Sequence, residues 1–342
     1  TLSSSSAASD VYKRQEQDMS EPEMTVVPDE YPTIQAAINA ANAGDTIYIG
    51  ARVYYEKVLV NKSVSLVGEN RDTTIIDGNR TGTVIRISAN NVSIINLTIR
   101  NAGRNWGPPP GYGYPDSCVD VRNVRNVRIE NNTLTGAAVC LAFTDSTSFT
   151  NVTNNVVCDA TYIGILGYYS HDISICHNLV SDYGFEGIHL DGGSSYCKVI
   201  CNTVKNGLDG ISLEKSATAN NLVDGNILLN NNASIGLYAC GKNVFRRNNI
   251  TNSQYNLLVW GYDLTNFMQD IDDSNIANSK VLYYLTNRSN LLIEPYNYPD
   301  LLHCTCELHE YYGKRFQLNL QWRRCTTSPL NQLHPNEHNS KQ

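Results

Sequence analysis

Titratable side chains are sparse in this 342-residue sequence, where only 17% of residues are charged, yet one short stretch gathers them. Glu186, His189 and Asp191 are followed, one repeat later, by Asp209 and Glu214. Treating Gly187, Gly210 and Gly236 as equivalent points Ile188, Ile211 and Leu237 inward and sets His189, Ser212 and Tyr238 in one outward ladder. The next outward ladder then holds Tyr168, Asp191, Glu214 and Cys240. Asp191 and Glu214 would face each other at about 4.8 Å, the spacing of neighbouring strands. His189 stands beside them, and Asp209 and Glu186 sit at the preceding bend. Two close carboxylates push one pKa upward, which suits acid/base work on a glycosidic bond, and the same pair can take up Ca²⁺. His189, Asp191, Glu214 and Asp209 are therefore candidate catalytic residues, against the alternative of a solvated acidic face.

Two further groups carry possible chemistry. His177 and Cys201 each precede a recurrent Asn, so they would stack on adjacent repeats with Cys176 alongside, offering soft ligands for copper or zinc. The competing reading is small bend fillers. Residues 104–116 are rich in proline and glycine and interrupt the repeat, which marks a protruding loop. Its Trp106, Tyr112 and Tyr114, together with Tyr168 and Tyr238 on the outward ladders, are candidate sugar-stacking residues, or they merely cover the flank.

The elements that must position these groups follow from a repeat of about two dozen residues. Its Asn falls at Asn132, Asn155, Asn178, Asn202 and Asn226, in steps of 23, 23, 24 and 24. Short two-periodic runs such as Ile173, Ser174, Ile175 and Ile211, Ser212, Leu213 read as strands, with no helical pattern between them. One repeat per turn of a parallel solenoid satisfies both observations, with apolar ladders inside and an Asn ladder on one edge. The Asn suits a tight bend because it tolerates left-handed backbone. Ahead of the repeats, Ile34, Ala37, Ile38 and Ala41 share one helical face, and a helix there would plug the open end before a first strand at Thr46–Ile49.

Composition narrows the class. No apolar run approaches the length needed to span a bilayer, and Asp plus Glu (33) exceed Lys plus Arg (26) for a net charge of −7, so a nucleic-acid surface is not expected. Seven of the ten Cys lie before Leu302, an odd number without a repeated short spacing, so no disulfide framework is legible. Residues 1–15 read like a translated sequencing adaptor and 16–26 like a leader remnant or linker. The expected organisation continues with a cap and first strand over 27–50 and repeats over 51–301. After Leu301 the texture changes to His303, Cys304, Cys306 and His309, which is expected of a frameshifted tail over 302–342 rather than a metal motif.

The stretch from Val27 to Ile38, then Gly44 to Ile49, Tyr55 to Val58, Leu66 to Asn70 and Ile75 to Gly78 resembles the opening segment of right-handed parallel β-helix proteins. It looks closest to the archaeal and bacterial cell-surface group of NosD-like, carbohydrate-binding and sugar-hydrolysis repeats. The resemblance implies an all-β, single-stranded, pectin-lyase-like solenoid with an N-terminal capping helix, in an extracellular, cell-surface or periplasmic setting. Tyr183 to Asp191 also resembles the site motif of alginate epimerases loosely, lacking its proline and with His189 displaced. The leading expectation is a non-catalytic β-helix whose partner is a polysaccharide or surface glycan, with no cofactor required. Its rivals are a polysaccharide lyase, epimerase or glycoside hydrolase using the 186–214 face, with Ca²⁺ possible there, and a NosD-like copper-handling protein.

Overall fold

The computed structural model describes residues 22–106, 114–284 and 306–308. The expectations for 1–15, for most of 16–26 and for most of 302–342 lie outside the described residues, as does Tyr112. Within them the protein is a right-handed parallel β-solenoid. Eleven strands, from Met24–Val27 and Thr46–Ile49 through to Asp270–Ile271, form one sheet, and nineteen form a second. One antiparallel pair, Ile276–Ala277 with Lys280–Val281, interrupts the parallel order, and Cys306–Leu308 pairs parallel with Val259–Gly261.

The apolar ladders follow from strand alternation, because residues two apart share a face. Ile165, Ile188, Ile211 and Ile235 stack in register and are fully buried or nearly so, as are Ile129, Val152, Ile175, Val199 and Val223. Ile188 and Ile211 thus face inward as expected.

Asn132, Asn155, Asn178, Asn202 and Asn226 are buried and stacked, and the row continues through Asn248 and Asn275. From Asn155 onward each Oδ1 accepts from both the backbone N–H and the Nδ2 of the preceding Asn, as Asn178 does at 2.9 and 3.0 Å from Asn155, while Asn132 Oδ1 accepts from the Leu97 N–H at 2.9 Å. Each Nδ2 also donates to a strand carbonyl, such as Asn178 to Val152 at 2.9 Å. The left-handed backbone, however, belongs to the residue before the ladder Asn: Asn131, Asn154, His177 and Cys201 have φ of 52°, 58°, 57° and 52°. The Asn itself is chosen for its amide.

The capping helix spans Ile34–Ala40 with Ile34, Ala37 and Ile38 buried, and the Thr33 hydroxyl accepts from the Ala36 N–H at 3.1 Å. Glu56 accepts from the backbone N–H groups of Ile34 and Gln35, and Lys62 donates to the carbonyls of Asn39 and Ala41, so charges of the favourable sign meet both helix ends. Thr46–Ile49 is the second strand, not the first. Met24–Val27 precedes it in register, in a segment read from sequence as linker because four residues carry too little periodicity.

Candidate functional site

Three consecutive strands of the second sheet, Val156–Tyr168, Glu186–Asp191 and Asp209–Glu214, carry the candidate residues on their outward face. The register sets Leu166, His189, Ser212 and Gly236 in one ladder, and Tyr168, Asp191, Glu214, Tyr238 and Trp260 in the next. This corrects the glycine alignment in the last repeat. Gly210 stacks on Ser234 rather than Gly236, so Tyr238 shares the ladder of Asp191 and Glu214, and Cys240 is buried in the core. A Cβ on Gly187 would meet the Gly210 carbonyl oxygen at 2.7 Å, and one on Gly210 the Ser234 carbonyl oxygen at 2.5 Å. A Cβ is thus shut out at Gly187 and Gly210, whereas the equivalent place on the following coil is taken by Ser234, so the glycine row ends at Gly210.

His189 is 7% exposed, and among the described residues neither ring nitrogen has a hydrogen-bond partner. Glu186 Oε2 lies 3.7 Å from Nδ1 and Glu214 Oε2 lies 3.6 Å from Nε2, so the imidazole is held between two carboxylates beyond hydrogen-bond reach. Burial works against its charged form, but Glu186, Asp191 and Glu214 outweigh that and hold its pKa above the ordinary imidazole value. Asp191 is buried, pairs with Lys215 Nζ at 2.8 Å, and accepts from the Gly192 N–H. Asp209 accepts from the Tyr238 hydroxyl at 2.6 Å. Its carboxyl is pushed up by burial and by Glu186, against the pull of Tyr238 and His189. Burial and the neighbouring Tyr169 raise Tyr168 to about 12.

The loop approaches this face. Its neck is closed by Asp116, whose carboxylate accepts from the Asn105 backbone and side chain and whose N–H donates to the Asn105 carbonyl. Trp106 packs against Tyr162 with ring centroids 5.1 Å apart. Tyr114 donates to Asp145 at 2.8 Å and lies under the Arg122 guanidinium. A cleft of about 110 Å³ results, walled by Trp106, Tyr114, Leu166 and Tyr168 and reaching His189 and Asp191. The aromatic loop and the acidic face, two separate features in the sequence, therefore meet in one cleft. Tyr114, one of the two loop tyrosines read as sugar-stacking candidates, is part of its wall, and Lys215 reaches its rim through Asp191. Nothing in a lone lysine at a repeat corner marked Lys215 beforehand.

Of the metal candidates, His177 and Cys201 do occupy equivalent corners of adjacent coils, and both are exposed. The described group whose ligand atoms converge is a different one: His189, Asp191 and Glu214, all within 4.8 Å of one another. A hard or borderline divalent ion suits such a donor set, but Lys215 already supplies a positive charge to Asp191. The seven cysteines from Cys118 to Cys240 are free thiols.

A family model described as a right-handed beta helix region matches residues 58–204. No curated protein matches the chain. Among solved structures, the A-module of mannuronan C-5 epimerase AlgE4 from Azotobacter vinelandii is 17% identical, covering 72% of this chain and 74% of that chain at a TM-score of 0.53. The A-module of AlgE6 from the same organism is 18% identical, with 72% of each chain covered at 0.52. XylC in complex with xylose is 10% identical, covering 73% and 70% at 0.52. At these identities the likeness is one of fold, and none of the matches points to copper handling.

Proposed function

We propose that this right-handed parallel β-helix protein binds a polysaccharide across the outer face of its second sheet and acts on it by proton transfer at His189. The observation that supports this reading most is the imidazole itself. A buried ring whose two nitrogens lack hydrogen bonds costs about 1–3 kcal/mol, a cost the fold has no need of on an outward-facing position. Flanked by Glu186 and Glu214 and bordering an aromatic-walled cleft, it is instead suited to donate a proton to a sugar oxygen while one of these carboxylates takes a proton from substrate or water, that carboxyl then returning the proton to the imidazole. Trp106 and Tyr114 would hold the sugar ring by its apolar face.

The charge balance indicates the substrate class. Glu186, Asp191, Asp209 and Glu214 face one Lys215 and one His189, so a neutral glycan approaches at lower electrostatic cost than a polyuronate. Asp191 is buried and engaged by Lys215 at 2.8 Å, so its carboxylate is already committed to an ion pair. The acid/base pair in this proposal is accordingly His189 with Glu186 or Glu214, and not the Asp191 and Glu214 pair inferred from the sequence.

The test is incubation of the purified protein with xylan, β-glucan, alginate and polygalacturonate, following reducing ends, unsaturated products and proton NMR. Product from a neutral glycan is expected, falling at least about 100-fold in His189→Gln while affinity is retained. Product from the uronates alone would overturn the substrate class. A second, non-catalytic reading is favoured by the closed Asp191 and Lys215 pair. It predicts binding without product, weakened by Trp106→Ala and unaffected by His189→Gln.

A further inference from the structure

A second feature lies on the other sheet. At one corner of the solenoid, Asn126, Phe149, Asp172, Tyr196 and Asn220 occupy equivalent positions on successive coils. All five have left-handed backbone, with φ of 59°, 51°, 54°, 56° and 59°. Asn and Asp adopt that conformation readily, whereas for a bulky aromatic it is strained. Phe149 and Tyr196 accept this strain without burying their rings, being 54% and 60% exposed.

Between them lies an open groove of about 340 Å³. Its floor is the outward ladder Asn151, Ser174 and Lys198, in register on three parallel strands, and Asp172 stands on the corner between the two aromatics. Two coils separate Phe149 from Tyr196, about 9.6 Å at the usual strand spacing. That span leaves room for one sugar ring in van der Waals contact, at about 3.5–4.0 Å, with one aromatic while facing the other. The axial C–H bonds of a pyranose carry the partial positive charge that the negative face of an aromatic ring attracts. The floor offers an amide, a hydroxyl and an ammonium for its hydroxyls, and the corner offers the Asp172 carboxylate, whose Oδ2 lies 2.9 Å from His171 Nδ1. One acid and one base line the groove, a balance that suits an uncharged sugar.

We propose that Phe149 and Tyr196 form a second carbohydrate-binding site, for a neutral sugar unit of a polysaccharide, on the flank of the first sheet. It stands on observations separate from the cleft at His189, and either site can fail alone.

The deciding experiment is calorimetric titration of the full chain with cellohexaose, xylohexaose and maltohexaose, alongside the double variant Phe149→Asn/Tyr196→Asn and its melting temperature. Asn restores the residue type of the flanking coils, so the melting temperature is expected to hold or rise. The double variant is expected to bind one equivalent fewer of the hexaose that the wild type binds, and each single variant to bind that equivalent about tenfold more weakly. A fall of several degrees in melting temperature would show that the aromatics serve packing and overturn the proposal. So would an unchanged number of equivalents in the double variant, or no binding of any hexaose by the wild type.

Discussion

His189 couples the cleft to pH in a direction that can be worked out. Its native pKa is raised by three carboxylates, so folding takes up a proton. That stabilisation is complete below the ordinary imidazole value of about 6.5 and is lost as pH rises through the raised native value. Asp209, also raised, acts with the same sign: the cost of its buried charge is absent below about 3.9 and complete once the pH exceeds its native value. The melting temperature is therefore expected to decline from pH 6 to 9, and to decline less in His189→Gln, as differential scanning fluorimetry would record. Identical slopes would show that the imidazole does not hold the extra proton. Lys215, 2.8 Å from Asp191, bears on metal binding at the same place. A chelator is expected to leave the melting temperature unchanged, and a drop of several degrees restored by Ca²⁺ or Zn²⁺ would put an ion among His189, Asp191 and Glu214.

At the scale of the element, the Asn ladder concentrates stability in single side chains. Asn178 accepts from the N–H and Nδ2 of Asn155 and donates to Val152, Cys176 and Asn202. Asn178→Ala would strand several of these buried groups at about 1–3 kcal/mol each, so a loss of about 3–5 kcal/mol is expected in urea unfolding. Asn206→Gly, on an exposed row of the same coils and compatible with the left-handed backbone there (φ 63°), should cost under about 1 kcal/mol. The ladder was legible in the sequence because its spacing and residue type are set by one repeated demand, a buried amide at each bend. The register of the last coils was not, because the glycine row ends at Gly210, its next place being taken by Ser234, while Gly236 stands two residues on. Gly236 answers a different need: a Cβ there would meet the Tyr238 ring at 2.6 Å and Asp209 at 2.9 Å. A second buried row, Asn221, Asn243 and Gln269, also escaped notice, since its last member changes residue type. Of the candidate site, the acidic face and the loop aromatics were visible as clusters of types, while Lys215 joins them only through the fold.

For the solenoid as a whole, each coil rests chiefly on its two neighbours, so damage should spread along the stack rather than unfold it at once. Ile38, fully buried in the capping helix, is the place to test this. Ile38→Asp is expected to abolish amide-exchange protection in Met24–Val27 and Thr46–Ile49 while the coils carrying Asn155 to Asn226 keep theirs. Simultaneous loss of protection everywhere would mean that the stack behaves as one cooperative unit.

The same stacking bears on how such a protein can change. Lys215 reaches back 24 residues to Asp191, and Glu214 meets His189 across the same step, so the cleft exists only as a relation between adjacent coils. Inserting one whole coil between Asp191 and Asp209 would preserve every apolar contact type and every Asn of the ladder, and the chain would still fold. The arrangement proposed for proton transfer would nevertheless vanish, its partners displaced by one strand spacing. Architecture here tolerates additions in units of a coil, whereas the proposed site tolerates none within this pair of coils, so lengthening the molecule without loss is open only outside them.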